Sequence, residues 1–174
     1  TGSGGVGRHL LDYAARSNMK RVYLELGGKS PNVVFADAPD LARAAQVSAQ
    51  GIFRNSGQVC VAGSRLLVER RIHAQLLDLM AQAARGLRVG NPLDPETKVG
   101  PVISERQMKR VQGFVDRARG AAELVTGGAR ILAETGGSYF APTIFDRVDP
   151  GAELARAEVF GPVLAVTPFD TEDE

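Results

Sequence analysis

The sequence predicts an α/β layered domain built on a largely parallel sheet. Two observations carry that expectation: short apolar strand-like runs alternate with amphipathic helical stretches, and glycine- or proline-bearing breaks separate them. A third is size, since 174 residues with 44% hydrophobic side chains suffice to bury a sizeable core.

The elements follow in order. Leu10, Leu11, Tyr13, Ala14 and Ala15 predict a short helix over Gly7–Arg16, launched from a glycine turn. Arg21–Leu26 alternates as a half-buried strand does, with Val22, Leu24 and Leu26 on one face and Tyr23 and Glu25 on the other. Gly27-Gly28 breaks that strand and Pro31 closes the turn. Asn32–Ala36 is a compact apolar strand, and Asp37 and Asp40 suit the start of the next helix. Leu41, Ala44, Ala45, Ser48 and Ile52 give that helix its inner stripe.

Asn55–Cys60 is a polar, glycine-bearing break before the strand Leu66–Val68. Ile72, Leu76, Leu77, Met80, Ala83 and Leu87 recur at helical spacing, and Asn91–Pro95 begins a loop. Met108, Val111, Val115 and Ala118 mark another amphipathic helix. After Gly127-Gly128, strands are predicted at Phe140–Phe145 and Pro162–Val166. There is no internal repeat and no low-complexity stretch.

Composition narrows the function classes. Lys plus Arg is 21 against 20 for Asp plus Glu, so no field favours nucleic acid or an anionic membrane. Aromatics at 6% offer no stacking platform for single strands. No apolar run approaches the roughly 20 residues that span a bilayer, and the opening Thr1–Gly5 has no signal-peptide character. One cysteine excludes an internal disulfide, and His9 and His73 lack ligand-spaced neighbours, so no metal site is expected. The expected setting is cytoplasmic. A chain opening in a Gly-rich turn and ending on Thr171–Glu174 reads as an excerpt of a longer one.

Gly2-x-Gly4-x-x-Gly7 matches the dinucleotide fingerprint, and Glu25 lies 21 residues after Gly4, where a ribose-binding acid would stand. Glycines that merely permit a tight turn explain the same pattern. Three longer segments bear on the choice: Leu24-Glu25-Leu26-Gly27-Gly28-Lys29-Ser30-Pro31, Gly57-Gln58-Val59-Cys60-Val61-Ala62-Gly63-Ser64-Arg65 and Glu158-Val159-Phe160-Gly161-Pro162-Val163. Each closely resembles a signature of the aldehyde dehydrogenase superfamily, in that family's order and nearly its spacing. Val33–Ala38, Asn91-Pro92 and Pro142-Thr143 extend the resemblance over essentially the whole chain.

The resemblance implies a portion of an aldehyde dehydrogenase catalytic domain preceded by the end of a Rossmann-like cofactor domain. Residues 1–27 would close the first part of the NAD(P)-binding domain. Residues 28–164 would carry the nucleophile and the cofactor-contacting loop near 158–162, and 165–174 a truncated continuation. It also implies an NAD(P)-dependent oxidation with NAD the favoured cofactor, a small-molecule aldehyde as substrate, and a homodimeric or homotetrameric parent. Asp37–Asp40 and Gly51–Phe53 resemble bacterial members acting on γ-glutamyl-aminobutyraldehyde and related amino-aldehydes.

Residue by residue, the resemblance makes Cys60 the nucleophile, a role that suits a thiolate because the thioester it forms can still be hydrolysed. Glu25 becomes the water-activating base, for which burial would have to raise its pKa. Ser3 would meet the cofactor's pyrophosphate at a helix N-terminus, although Gly4 stands where members usually carry threonine. The GxGxxG match then becomes accidental. Glu158 would hydrogen-bond the nicotinamide ribose, Phe160 would pack near the nicotinamide, and Gly27 with Gly28 would let backbone approach the site. Lys29 fits the motif, and a surface or turn-bracing role explains it equally well. The Cys60 backbone N–H would supply half of an oxyanion hole whose partner asparagine lies upstream of Thr1. Two other readings stand beside hydrolytic oxidation: a CoA-acylating enzyme, against which Glu25 argues, and an inactive structural or interaction fragment.

Overall fold

A computed structural model describes all residues from Thr1 to Glu174. A five-stranded sheet forms its centre, from β1 (Pro31–Val34), β2 (Arg65–Glu69), β3 (Glu123–Thr126), β6 (Thr143–Asp146) and β7 (Val163–Phe169). Its order is β1-β2-β7-β6-β3, parallel throughout except for the antiparallel β3–β6 pair. A separate ribbon pairs β4 (Arg130–Ile131) with β5 (Tyr139–Phe140). The largely parallel α/β architecture is therefore as the alternating pattern predicts.

Helices cover the sheet on both sides. On one side lie α2 (Leu41–Phe53) and α3 (His73–Arg85), which bury Ala45, Ala49, Ile52, Leu76 and Met80 against Leu66, Val68, Leu164 and Val166. On the other, α4 (Glu105–Ala118) and the short α5 (Glu153–Arg156) bury Met108, Val111, Val115 and Leu154 against Phe145, Val163 and Ala165. Successive residues of β7 thus enter opposite cores, which explains its nearly continuous apolar run. Each long helix begins on an oxygen cap where the sequence offers one. Asp40 accepts from the Arg43 amide at 2.9 Å and Ser104 from that of Gln107 at 3.2 Å. No helix is long and apolar enough to cross a membrane.

The first helix, α1 (Gly4–Arg16), starts three residues earlier than the periodicity predicts, because Ser3 caps it by accepting from the Val6 amide at 3.3 Å. The predicted strand Arg21–Leu26 is not a laddered strand. Only Leu26 forms a bridge, to Gly2, with the Gly2 amide donating to the Glu25 carbonyl at 3.0 Å. The two-residue alternation nonetheless survives in burial: Val22, Leu24 and Leu26 are half-buried while Tyr23 and Glu25 are exposed. The backbone is extended but has one bridging residue beside it, and a ladder needs a neighbour along its length.

The predicted strand Phe140–Phe145 is two strands. Ala141-Pro142 interrupts it, so β5 joins the ribbon while β6 joins the main sheet. The sequence pattern predicts no strand at Glu123–Thr126. That strand sits at the sheet edge and pairs antiparallel with a register shift between Leu124 and Thr126.

Candidate functional site

Three chain segments far apart in sequence converge because of strand order. β1, β2 and β7 are neighbours and parallel, with Pro31 opposite Arg65 and Arg65 opposite Ala165. Segments leading into them therefore arrive at one end of the sheet. These are Glu25–Ser30 before β1, Gly57–Ser64 before β2 and Glu158–Pro162 before β7. Parallel α/β sheets usually bind ligands at the carboxyl ends of their strands; here the three segments gather at the amino ends.

Cys60 stands at the tip of a tight turn, closed by the Ala62 amide donating to the Val59 carbonyl at 3.0 Å. The thiol is exposed and reduced. Its own backbone N–H has no acceptor within the chain.

The turn is supported from below. Asn55, Ser56 and Gly57 all have left-handed backbone, at φ 51°, 56° and 70°. Left-handed non-glycine residues cost on the order of 1–3 kcal/mol each, so their neighbours must hold them. The Ser56 hydroxyl donates to the Gly100 carbonyl at 2.7 Å, Asn55 Nδ2 donates to the Gln58 carbonyl at 3.0 Å, and the Ile103 amide donates to Gln58 Oε1 at 2.9 Å.

The Glu158 loop is held by α4. Gln107 Nε2 donates to the Val159 and Phe160 carbonyls at 3.0 and 2.8 Å, and Arg110 donates to the Glu158 carbonyl at 2.9 Å. Phe160 also takes a left-handed conformation, φ 58°, and leaves its ring partly exposed. Sequence reasoning missed Gln107 and Arg110. Their only signal was a polar pair three residues apart beside the Met108/Val111 stripe.

Glycines lock the three segments together. The Glu158 carboxylate fills the space a side chain on Gly27 would need, since a Cβ there would lie 1.9 Å from Glu158 Oε2. The Gly28 amide donates to Glu158 Oε1 at 3.4 Å, and the Cys60 carbonyl lies 3.7 Å from the Cβ position of Gly28. Gly57 in turn rests on Gly161, whose carbonyl oxygen would be 2.1 Å from any Cβ. Glu158, Gly27 and the Cys60 turn therefore share one site.

The other predicted positions are less enclosed. Glu25 is exposed, so the burial expected of a water-activating base is not supplied by this chain. Ser3 is exposed at the start of α1, beside the amides of Gly4 and Gly5, which make no hydrogen bond within the chain. Lys29 is not a surface lysine. Its Nζ is buried without a hydrogen-bond partner. Burial chiefly lowers its pKa to about 8; the Arg65 charge lowers it further and Glu158 opposes both. No group of His, Cys, Asp and Glu side chains suited to a metal ion is present.

The family model described as "Aldehyde dehydrogenase family" matches residues 1–174. The chain is 48% identical over 176 residues to NADP/NAD-dependent aldehyde dehydrogenase PuuC of Escherichia coli K12, covering 100% of this chain and 34% of that protein. Among solved structures, γ-glutamyl-γ-aminobutyraldehyde dehydrogenase from Burkholderia cenocepacia J2315 superposes with a TM-score of 0.96 at 53% identity. The aldehyde dehydrogenase KauB from Pseudomonas aeruginosa does so with 0.97 at 52%. Each match covers 99% of this chain and 35% of the solved one. The chain thus spans about a third of the length of the relatives it matches.

Proposed function

The chain belongs to the aldehyde dehydrogenase family, and from that premise we propose that its parent protein oxidises an aldehyde to a carboxylic acid with NAD(P)+. The observation that carries this reading is the shared end of β1, β2 and β7, where an exposed cysteine turn, a seated carboxylate and a glycine pair meet.

In this reading the Cys60 thiolate adds to the aldehyde carbon, and the carbonyl electron pair moves onto oxygen. The free Cys60 N–H donates to that oxyanion. NAD(P)+, when bound, would supply the two-electron acceptor for the hydride of the tetrahedral carbon. A thioester on Cys60 remains. Glu25 then takes a proton from water, whose oxygen attacks the thioester carbon, and the Cys60 sulfur leaves with the bond's electron pair. The net change consumes aldehyde, water and NAD(P)+ and yields acid, NAD(P)H and a proton.

The residues fit a dinucleotide. Ser3 and the unbonded Gly4 and Gly5 amides offer a helix N-terminus with no acidic residue in its first turn, which suits a pyrophosphate. Glu158 offers hydrogen-bond acceptors to a ribose, and the exposed Phe160 ring a flat apolar wall. Residues 1–27 would then belong with the cofactor-binding part, and residues from 28 onward with the nucleophile-bearing part. Similarity to a γ-glutamyl-γ-aminobutyraldehyde dehydrogenase supports amino-aldehydes as the substrate class, and similarity to an NADP/NAD-dependent enzyme supports a nicotinamide dinucleotide as cofactor.

Replacing Cys60 with Ser in the full-length parent is the direct test. Turnover should vanish while the melting transition stays, because the exposed thiol contributes little packing. Retained turnover would remove Cys60 from the chemistry.

A further inference from the structure

We propose that Lys29 is a positioning residue, holding the Glu158 carboxylate seated on the Gly27–Gly28 turn where the cofactor ribose would meet it. The inference rests on the reading of Glu158 as a ribose ligand.

The Lys29 Nζ is buried and makes no hydrogen bond. An ammonium withdrawn from water is strongly unfavourable unless a carboxylate compensates it. Glu158 is the carboxylate whose charge acts on Lys29, while Arg65 opposes it. What otherwise holds the carboxylate is slight. It lies against bare backbone at Gly27, and its one hydrogen bond, from the Gly28 amide, is long at 3.4 Å. A buried positive charge next to the same turn supplies the missing restraint without occupying the acceptor oxygens, which stay available to a ribose hydroxyl.

Placement supports this division of labour. Lys29 immediately precedes β1, Arg65 begins β2 and Glu158 precedes β7, so the three charges come from the three neighbouring parallel strands. Arg110 of α4 completes the surroundings by donating to the Glu158 carbonyl rather than its carboxylate. Burial brings Lys29 down to about 8, toward neutral pH. Loss of its proton would release Glu158 and weaken cofactor binding as pH rises through about 8.

The test is calorimetric NAD+ binding to the full-length parent carrying Cys60→Ala. Four variants are compared: Lys29→Met, Glu158→Gln, the two combined, and Lys29→Arg. Each of the first two should weaken binding tenfold or more, the combination should be no worse than the more severe single, and Lys29→Arg should recover most of the affinity. Between pH 7 and 9.5 the dissociation constant should rise in the Lys29-bearing protein and stay flat in Glu158→Gln. An unchanged constant in Lys29→Met, or fully additive losses, would overturn the positioning role while leaving Glu158 as a ligand. Unchanged binding in Glu158→Gln would instead overturn the ribose reading itself. Should Lys29→Met fail to fold, the pH series alone decides, and a flat profile refutes the inference.

Discussion

Gly27→Ala separates positioning from stability more cleanly than any other single change at this site. The added methyl would stand 1.9 Å from Glu158 Oε2 and 2.4 Å from its carboxyl carbon, whereas ordinary contact begins at 3.4 Å. The carboxylate must therefore retreat by about 1.5 Å. It can do so at little cost to folding, because it is the end of a flexible side chain and Gly27 has no left-handed backbone to forbid alanine. Stability should change by no more than about 1 kcal/mol. Function should not be spared: a 1 Å misplacement in a positioned site can cost about 100-fold. The expected result in the full-length parent is a 10- to 100-fold rise in the KM for NAD(P)+, with the KM for aldehyde and the melting temperature nearly unchanged. Steady-state kinetics at saturating aldehyde and a thermal melt measure both. An unaltered cofactor KM would show that the seat of Glu158 on Gly27 has no bearing on binding.

Two more changes probe neighbouring parts. Gly57→Ala meets backbone rather than side chain, with a Cβ 2.1 Å from the Gly161 carbonyl oxygen at φ 70°. The left-handed conformation alone costs alanine about 1–2 kcal/mol, and the clash adds to it, so a denaturant titration should show a loss of at least about 2 kcal/mol; a loss smaller than that of Gly27→Ala would contradict the glycine lock. Glu25→Gln should permit one rapid equivalent of NAD(P)H and then slow thioester hydrolysis, visible as a burst in stopped flow. A normal steady-state rate without a burst would remove Glu25 as the base.

The Cys60 turn and the Glu158 loop were legible in the sequence because their residues form long, specific strings. So were the helices, since Met80, Ile52 and Val111 sit on regular apolar stripes. What was not legible was set by long-range contact. Gln107 and Arg110 look like an ordinary solvated helix face, yet they reach carbonyls 52 or 53 and 48 residues away. The burial of Lys29 was equally hidden, because lysine next to glycine reads as surface and only the meeting of β1 with β2 and β7 encloses it. Left-handed Asn55, Ser56 and Phe160 carry no local signal beyond asparagine's tolerance for that region. In Arg21–Leu26 the alternation predicts two faces, which the burial shows, and a ladder, which does not form beyond the Gly2–Leu26 bridge. Periodicity reports what a residue faces, not whether a partner strand lies alongside.

The shared starting end of β1, β2 and β7 also sets their other end apart from every residue given a role above. At about 3.3 Å per residue, the far ends of these strands lie some 10–20 Å from the cysteine turn. There the Arg70–Asp170 ion pair, with bonds of 2.5 and 2.9 Å, and the edge-to-face contact of Phe35 with Phe169 close the sheet. Loops leaving that end can lengthen, accept a tag or carry a fluorophore without touching a residue assigned to the reaction. For engineering this makes the fold polar: substrate range is to be altered at one pole, and attachment to surfaces or reporters belongs at the other.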